Sequence, residues 1–315
     1  MQQLGLIGLG RMGANMARRL ARAGRFRLYG HDLDAGTVAT LADEISLQPA
    51  PSLAELVAAL EPPRRLWMML PAGAITDAAI AELGELLAPG DLLVEGGNSY
   101  YRHTMGHGEA LLQRGIALVD AGVSGGVWGL GEGYGLMLGG DPDAIAALRP
   151  VIEVLAPAPD RGWVHCGQSG SGHFVKMIHN GIEYGMMQSY AEGLNLLHGH
   201  PDFQLDLAAI TESWRHGSVV RSWLLDLTAD FLARDATLDG VAPRVAESGA
   251  GRWTVQEAVE QGVSAPVITL ALMSRFASQG GQDYGARVLA MMRQAFGGHA
   301  LYRQGEAEGE EPRHD

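Results

Sequence analysis

Short apolar runs alternate with segments of helical periodicity in the first half of the chain. We predict strands at residues 4–7, 27–30, 66–70, 92–94 and 116–119, and helices at 13–23, 53–60, 75–86, 107–114 and 141–155. Because strands that alternate with helices are typical of βαβ units, this half is predicted to form an α/β domain with a doubly wound parallel sheet.

The pattern changes at about residue 171. Apolar residues then recur with helical periodicity over residues 172–198, 205–216, 223–233, 254–261 and 265–296, without a convincing strand pattern. We therefore predict an α/β domain at residues 1–170 and an all-α domain at residues 171–304. The charged tail at residues 305–315 is expected to be disordered.

Polar side chains recur at helical spacing between residues 176 and 184. At about 100° per residue, one side of a helix carries Lys176, His179, Asn180, Glu183 and Tyr184. Polar faces are usually exposed to solvent, but such faces are mostly filled with Lys, Glu, Gln and Arg. His, Asn and Tyr are weak helix formers with specific hydrogen-bonding geometry. This face is therefore predicted to be functional.

Two glycines lie inside the same predicted helix. Gly181 and Gly185 each cost about 1 kcal/mol relative to alanine in a helix interior. We therefore expect a neighbouring element to approach the helix backbone closely at these positions.

A glycine-rich segment directly follows the first predicted strand and opens the first predicted helix. Its sequence is Gly8-Leu9-Gly10-Arg11-Met12-Gly13. In this context the first glycine permits a tight turn, the second lets the backbone approach a pyrophosphate, and the third allows close packing of helix and strand. The phosphates would lie at the helix N-terminus. These features predict a Rossmann-like dinucleotide-binding domain.

Asp32 ends the second predicted strand, about 20 residues beyond the glycine segment. A carboxylate at this position can accept hydrogen bonds from the adenosine ribose, and it would repel a 2′-phosphate. We therefore predict NAD as the cofactor, with Asp32 rather than Asp34 as the ribose ligand. A helix-capping or loop role for Asp32 is the alternative. Arg11, close to the phosphates, leaves weaker use of NADP open.

Two further glycine-rich loops follow later strands, at the sheet edge where ligands bind in open α/β sheets. They are Glu95-Gly96-Gly97-Asn98-Ser99 and a run that ends in Ser124-Gly125-Gly126. Backbone amides beside a serine hydroxyl can hold a carboxylate. Asn98 can orient an amide or a hydroxyl near the reacting carbon. The predicted cofactor contacts also include Leu70, Pro71 and Ala72.

Composition limits the kinds of partner. The 315 residues, 47% of them hydrophobic, suffice for two domains. The formal net charge of −13 argues against nucleic acid or an anionic membrane. The single cysteine, Cys166, excludes an intramolecular disulfide and fits a reducing compartment, and we predict that it is buried. No metal site is predicted. Without a recognisable signal peptide or membrane span, a cytoplasmic protein is expected.

These motifs and the run 172–185 (GHFVKMIHNGIEYG) together resemble the decarboxylating 6-phosphogluconate dehydrogenases of the β-hydroxyacid dehydrogenase superfamily. The likeness extends over nearly the whole chain up to the acidic tail. It implies oxidative decarboxylation of 6-phospho-D-gluconate to ribulose 5-phosphate and CO2, with reduction of NAD or NADP. Both the pentose phosphate pathway and gluconate utilization would fit this activity.

The resemblance implies a role for each member of the polar face. Lys176 would act as general base and acid, Glu183 would protonate the enediol, and His179 and Asn180 would orient substrate and cofactor. The substrate phosphate would contact Tyr184, and the carboxylate would contact Ser124, Gly125 and Gly126, with Asn98 adjoining substrate and cofactor. A base must be neutral, so burial or a cationic neighbour must lower the pKa of Lys176 from its ordinary value of about 10.4.

A doubly anionic substrate needs further cations. By resemblance the candidates are Arg221, Arg252, Arg293 and His299. Many family members have lysine where this chain has Arg252, and the order of the segments fits the short, NAD-associated form without a duplicated helical half. In the long form the last Arg and His reach a neighbouring subunit. A homodimer or homotetramer is therefore implied, and the action of Arg293 and His299 in cis or in trans stays open.

Two other functions stay open. A β-hydroxyacid dehydrogenase or semialdehyde reductase acting on an unphosphorylated small acid would share the glycine segment, Ser124 and Lys176. It would not require Glu183 or the downstream arginines. A protein that senses NAD without turnover would need still fewer of these residues, because Lys176, Asn180 and Glu183 would have no joint task.

Overall fold

The computed structural model describes residues 1–280, 284–285, 287–288 and 291–292. Arg293, His299 and the tail 305–315 lie outside the described residues. The chain packs as two compact units, of which the first comprises Met1–Met187 and Gly249–Thr269, and the second Gln188–Ser248 and the chain from Leu270 onward. The start of the predicted helical domain thus packs within the first unit, while the domain boundary at residues 170 and 171 stays a prediction.

An eight-stranded sheet lies in the first unit. Its strands are β1 (Gln2–Ile7), β2 (Phe26–His31), β3 (Gln48–Pro49), β4 (Arg65–Met68), β5 (Leu92–Glu95), β6 (Ala117–Ser124), β7 (Gly135–Gly139) and β8 (Trp163–Gly167). Their order across the sheet is β3-β2-β1-β4-β5-β6-β7-β8. The predicted doubly wound α/β class is confirmed. One pair, β6 and β7, is antiparallel with Ser124 opposite Gly135, which the prediction of a parallel sheet did not include.

The helices follow the predicted positions in most places. They are α1 (Arg11–Arg22), α2 (Ala35–Glu44), α3 (Leu53–Ala59), α4 (Ala74–Leu86), α5 (Tyr101–Leu112), α6 (Gly129–Glu132), α7 (Pro142–Leu155), α8 (Ser171–His198), α9 (Leu207–Trp214), α10 (Trp223–Leu232), α11 (Ala250–Glu260) and α12 (Pro266–Ser278). The prediction missed α2 and α6, placed the starts of α5 and α11 too late, and continued the last helix beyond Ser278, where α12 ends. It also missed the strands β3, β7 and β8.

Hydrophobic side chains cover both faces of the sheet. Successive residues of a strand point to opposite faces. Accordingly, Leu92 and Val94 of β5 belong to one buried cluster, and Leu93 belongs to the other. Burying each such side chain contributes about 1.5–3 kcal/mol. Helices packed on both faces leave the carboxyl ends of the parallel strands as the accessible edge.

Side-chain caps fix the starts of several helices. The Asp34 carboxylate accepts from Gly36 N and caps α2, and the Ser52 hydroxyl accepts from Glu55 N and caps α3. These contacts satisfy amides that otherwise lack a partner in the first helical turn. Asp34 is therefore committed to the helix, and this leaves Asp32 as the carboxylate available to a ligand.

Cys166 is only partly buried. It lies on β8, at the edge of the sheet, where one side of the strand has no neighbouring strand. The prediction that Cys166 is buried is therefore wrong.

Within the described part of the chain, none of the helices has the length and apolar character needed to cross a membrane.

The second unit contains α9 and α10, which pack against each other. Arg215, directly after α9, forms ion pairs with Glu212, Asp226 and Asp230 at N–O distances of 2.8–3.1 Å. An arginine shared by three carboxylates holds a geometry that an isolated surface pair does not. This cluster links the end of α9 to α10.

Candidate active site

The glycine-rich segment has the conformation that the sequence predicts. Gly8 has a φ of +80°, which permits the turn between β1 and α1. A Cβ on Gly13 would lie 1.9 Å from the Gly8 carbonyl oxygen, so only glycine allows this packing. A Cβ on Gly10 would have no neighbour within 4 Å, so the space in front of the α1 N-terminus is open. These residues fit a bound pyrophosphate.

A cleft of about 980 Å³ lies at this edge of the first unit. The predicted cofactor residues that line it are Gly8, Gly10, Met12, Asp32, Leu70, Pro71 and Asn98. The predicted residues outside its lining are Leu9, Arg11, Gly13 and Ala72. The prediction missed several lining residues, among them His31, Leu33, Leu53, Ile75 and Ala78. Leu53 begins α3 and Ile75 lies in the first turn of α4. Both are distant from the glycine segment along the chain, and no local motif marks them.

Asp32 joins the glycine segment to the loop after β2. Its Oδ2 accepts from Leu9 N at 2.7 Å, and its Oδ1 accepts from Asp34 N at 2.9 Å. The loop role is therefore present. Each carboxylate oxygen keeps a second acceptor position, so the same side chain can also accept from a ribose hydroxyl.

Asn98 links two loops at the carboxyl edge of the sheet. Its backbone is left-handed, with a φ of +56°. The side-chain oxygen accepts from Val123 N at 2.8 Å, and the side-chain amide donates to Val123 O at 3.2 Å. These two bonds attach the loop after β5 to the end of β6, directly beside Ser124.

The start of α8 packs directly on β6. A Cβ on Gly122 would lie 2.5 Å from the Lys176 Cβ and 2.7 Å from the Gly172 carbonyl oxygen. The Asp120 carboxylate accepts from Gly170 N at 2.6 Å and from His173 N at 2.7 Å. Asp120 therefore anchors the amides at the helix start, a role that the sequence did not reveal. As a result Lys176 lies near residues 122–124, where Asn98 is also attached.

The polar face of α8 is buried at its two ends and partly open between them. Lys176 and Tyr184 are each only 5% exposed and the side chains of His179 and Glu183 are 40% exposed, whereas Val175 and Ile182, on the other side, are 37% and 53% exposed. An ordinary amphipathic helix would show the reverse pattern. The interpretation of this face as a solvated surface is therefore wrong.

Close contacts with α11 and α12 explain the glycines of α8. A Cβ on Gly181 would lie 2.6 Å from Thr254 Cγ2, and one on Gly185 would lie 3.2 Å from Val267 Cγ1. Thr254 Oγ1 also donates to Met177 O at 2.9 Å. The expected close approach at both glycines is confirmed.

Burial changes the acid–base behaviour of Lys176. Desolvation lowers its pKa to about 8, and the nearby charge of Glu183 opposes this shift. Lys176 Nζ lies 3.3 Å from His179 Nδ1, which lies 3.2 Å from Asn180 Oδ1 and 3.8 Å from Glu183 Oε2. The expected lowering of the pKa is confirmed, and the four polar groups form one connected set. Lys176 is also the only lysine in the chain.

The predicted phosphate contacts fall in different parts of the chain. The ring of Tyr184 packs against Gly251, where a Cβ would lie 2.4 Å from Tyr184 Cε2. Arg252 is the next residue of α11 and is exposed, so it belongs to the same unit as Tyr184. Arg221 is exposed in the second unit, where the Tyr190 hydroxyl bonds the flanking residues Val220 and Ser222.

A sheet of this topology with a glycine-rich turn after β1, followed by a helical region, defines a dinucleotide-binding dehydrogenase. The family model described as the NAD binding domain of 6-phosphogluconate dehydrogenase matches residues 3–167, and the model of the C-terminal domain of the same enzyme matches residues 172–292. The chain belongs to the 6-phosphogluconate dehydrogenase family. The resemblance seen in the sequence is thereby confirmed.

Individual relatives agree with this assignment. The chain is 42% identical over 303 residues to the NAD(+)-dependent, decarboxylating 6-phosphogluconate dehydrogenase of Haloferax volcanii, covering 96% of this chain and 99% of the relative. It is 39% identical to the decarboxylating enzyme of Synechococcus elongatus, covering 88% of this chain but 62% of that longer relative. The solved Plasmodium falciparum 6-phosphogluconate dehydrogenase has a TM-score of 0.80 and 25% identity, covering 97% of this chain and 67% of that chain.

Proposed function

We propose that this protein oxidatively decarboxylates 6-phospho-D-gluconate to ribulose 5-phosphate and CO2, with NAD as the preferred oxidant. The observation that carries the proposal is the partly buried polar face of α8. It combines a buried lysine whose pKa is about 8 with a half-exposed carboxylic acid on Glu183. A simple hydroxyacid oxidation requires the base but has no step for the second acid.

The chain's residues can carry every proton in this reaction. The bound nicotinamide supplies the chemistry of hydride acceptance from C3 of the substrate. Neutral Lys176 removes the proton of the 3-hydroxyl group and, once protonated, donates to the new keto oxygen. This donation favours cleavage of the C1–C2 bond, because the electron pair left by departing CO2 becomes part of an enediol.

The former C2 of the substrate is now C1 of the enediol. Glu183 then donates a proton to this carbon, while Lys176 removes the enediol hydroxyl proton. Lys176 ends with one proton more than at the start, and Glu183 ends with one fewer. Return of this proton restores both groups, and His179 Nδ1 lies within 3.3 Å of Lys176 Nζ and 3.8 Å of Glu183 Oε2. The carboxylate carbon that leaves as CO2 carries no proton, so the protons on Lys176 and Glu183 are the only ones that the cycle must restore.

Substrate binding is proposed to use both anionic ends of the molecule. The carboxylate contacts Ser124 and the amides of Gly125 and Gly126, whose φ values of +127° and +50° turn the loop after β6. The phosphate contacts Tyr184 and Arg252. Arg221, Arg293 and His299 are proposed as further phosphate ligands on the basis of the family resemblance alone. Asn98 and Asn180 orient the substrate between these ends.

The preference for NAD rests on Asp32. Its carboxylate lines the cleft, and Leu33 beside it is 93% exposed and offers no cation. At a separation of about 4 Å and an effective dielectric constant near 20, two unit charges of like sign repel by about 4 kcal/mol. A 2′-phosphate is therefore disfavoured there. The Haloferax volcanii relative, described as NAD(+)-dependent, supports the same preference.

Self-association is proposed from the apolar surface of the first unit. Ile182, Met186 and Val267 are 53%, 39% and 61% exposed in the single chain. Gly185 and Val267 are neighbours, so these side chains lie on adjoining helices. A homodimer or homotetramer would cover this surface. We also propose that the protein works in the cytoplasm.

The direct test measures nicotinamide reduction and CO2 release in one reaction with 6-phosphogluconate. We expect stoichiometric CO2 and faster turnover with NAD than with NADP. Turnover of an unphosphorylated 3-hydroxy acid without turnover of 6-phosphogluconate would instead assign the protein to the wider hydroxyacid dehydrogenases. Tight NAD binding without oxidation of any of these substrates would support the sensing function.

A further inference from the structure

Glu95 and His173 form a buried ionisable pair that the proposed mechanism does not use. Glu95 ends β5, and His173 lies in the first turn of α8. Both side chains are 0% exposed, with His173 Nδ1 3.3 Å from Glu95 Oε2. Thr104 Oγ1 on α5 lies 2.9 Å from the same Nδ1.

The cost of burial makes this pair a poor means of stabilisation. Removing two charges from water costs several kcal/mol per ion, and a well-packed apolar pair is often equally stable or more stable. A close contact between two buried side chains does, however, fix the distance between the elements that carry it, and the Thr104–His173 hydrogen bond adds α5 to this contact. Here those elements are β5, α5 and α8.

Glu95 also shapes the loop that carries Asn98. Its Oε1 accepts from Gly97 N at 2.8 Å, directly before the left-handed Asn98. A Cβ on Gly97 would lie 2.3 Å from the Leu70 carbonyl oxygen, so this turn has little freedom to shift. One carboxylate therefore holds the Asn98 loop with one oxygen and meets α8 with the other.

His173 carries this connection to the lysine. It precedes Lys176 by one helical turn on α8, and its backbone amide donates to Asp120. Nδ1 of His173 shares a hydrogen bond with the Thr104 hydroxyl at 2.9 Å and lies 3.3 Å from Glu95 Oε2, a buried carboxylate oxygen without a hydrogen-bond partner among the described residues. One connection from Asn98 to Lys176 thus runs through Gly97, Glu95 and His173, in addition to the one through Val123 and Gly122.

We propose that Glu95 is a positioning residue that, through His173, sets the placement of Lys176 relative to Asn98. The inference rests on the proposed function, because both of these residues are assigned to the reacting part of the substrate. A misplacement of about 1 Å of reacting groups can lower a rate about 100-fold. Glu95 itself would touch neither substrate nor cofactor.

The test compares Glu95→Gln with a control at the other end of the same strand. Glutamine keeps the shape and the acceptor for Gly97 N, but it removes the carboxylate charge that faces His173. Asp91 precedes β5, its side chain is 1% exposed, and it pairs with Arg64 at 3.0 Å. Asp91→Asn therefore also perturbs a buried ion pair, at the opposite edge of the sheet.

We expect Glu95→Gln to lower kcat about 10- to 100-fold, with KM for NAD and for 6-phosphogluconate changed less than about threefold. Asp91→Asn should lower thermal stability while keeping kcat. His173→Gln should resemble Glu95→Gln, and the double variant should lose little more than either single variant, because both act through one contact. This second variant serves the same purpose if Glu95→Gln does not fold.

Two negative results are distinguishable. If the wild-type protein turns over 6-phosphogluconate and both Glu95→Gln and His173→Gln match Asp91→Asn in kcat, the positioning role is refuted and the proposed function stands. If the wild-type protein does not turn over 6-phosphogluconate, the proposed function fails and this inference fails with it.

Discussion

Replacing Lys176 with methionine should make the protein more stable while abolishing turnover. Methionine has a similar length and no charge, so it can occupy the same buried position on α8. The lysine is held against Gly122 by packing and is 5% exposed. Its protonated form is therefore poorly solvated in the folded protein.

The magnitude follows from the pKa. Burial lowers the pKa of Lys176 from 10.5 to about 8, and a difference of one in pKa between the folded and unfolded chain corresponds to about 1.36 kcal/mol. At pH 7 the lysine is protonated in the unfolded chain, so folding is penalised by about 3 kcal/mol. Between pH 8 and 10.5 the unfolded chain binds this proton more tightly than the folded chain does. Stability should therefore rise with pH across this window, and the penalty should vanish above it.

Urea unfolding of the wild type and Lys176→Met at several pH values measures this penalty. The variant should be more stable by about 3 kcal/mol at pH 7, and its advantage should fall by more than half near pH 9.5. Because the chain has only one lysine, lysine labelled with 15N gives a single side-chain NMR signal whose titration reports the pKa directly. A pKa near 10.5, or an advantage that does not change with pH, would refute the reasoning.

Three other substitutions test separate parts of the site. Asp32→Asn keeps the acceptor for the glycine segment but removes the charge, so kcat/KM with NADP should rise at least about tenfold relative to NAD; an unchanged ratio would exclude the electrostatic explanation. Glu183→Gln removes the charge that raises the pKa of the active-site lysine. The acidic limb of the kcat/KM profile for hydride transfer should therefore move below pH 8, and a limb that stays in place would contradict this coupling. Gly181→Ala would bring a Cβ within 2.6 Å of Thr254, and thermal unfolding should show a loss of about 1–3 kcal/mol. Gly193→Ala, with open space on the same helix, should instead gain about 0.5–1 kcal/mol, so equal effects of the two alanines would refute the packing argument.

Local signals were sufficient for some elements. The glycine segment identified the turn from β1 to α1 because each glycine meets a separate steric requirement there. The predicted helix at 172–198 agrees with α8 (Ser171–His198), since its periodicity is long and uninterrupted. The partial burial of its polar face was visible in its residue types, which are unusual for a solvated helix.

Elements held by tertiary contacts were harder to predict. The predicted start of α5 lies six residues after Tyr101, because Gly106 weakens the helical signal just before the predicted start. Distant residues secure this start, since the Tyr101 hydroxyl donates to Glu257 at 2.8 Å and the Tyr100 ring lies 5.3 Å from that of Trp253.

Glycine-rich and long-range features were missed for the same reason. The strand β7 (GLMLG) has no β-branched residue and is held between β6 and β8. The Asp120 bonds to the start of α8 span 50 and 53 residues of sequence, so no local pattern reveals them.

The antiparallel turn from β6 to β7 has a consequence for how new substrates can be acquired. In a parallel crossover the connection must travel back along the sheet, so its length is constrained. Here Ser124 and Gly135 face each other in register, and the connection begins and ends at the same edge. This connection follows the proposed carboxylate contacts, and it is also tied to α1, because Arg19 donates to Leu130 O and Gly131 O. A change of substrate through this connection therefore has to keep these two carbonyl groups in place, and Val127 and Trp128, which are about half exposed, are the positions to vary first.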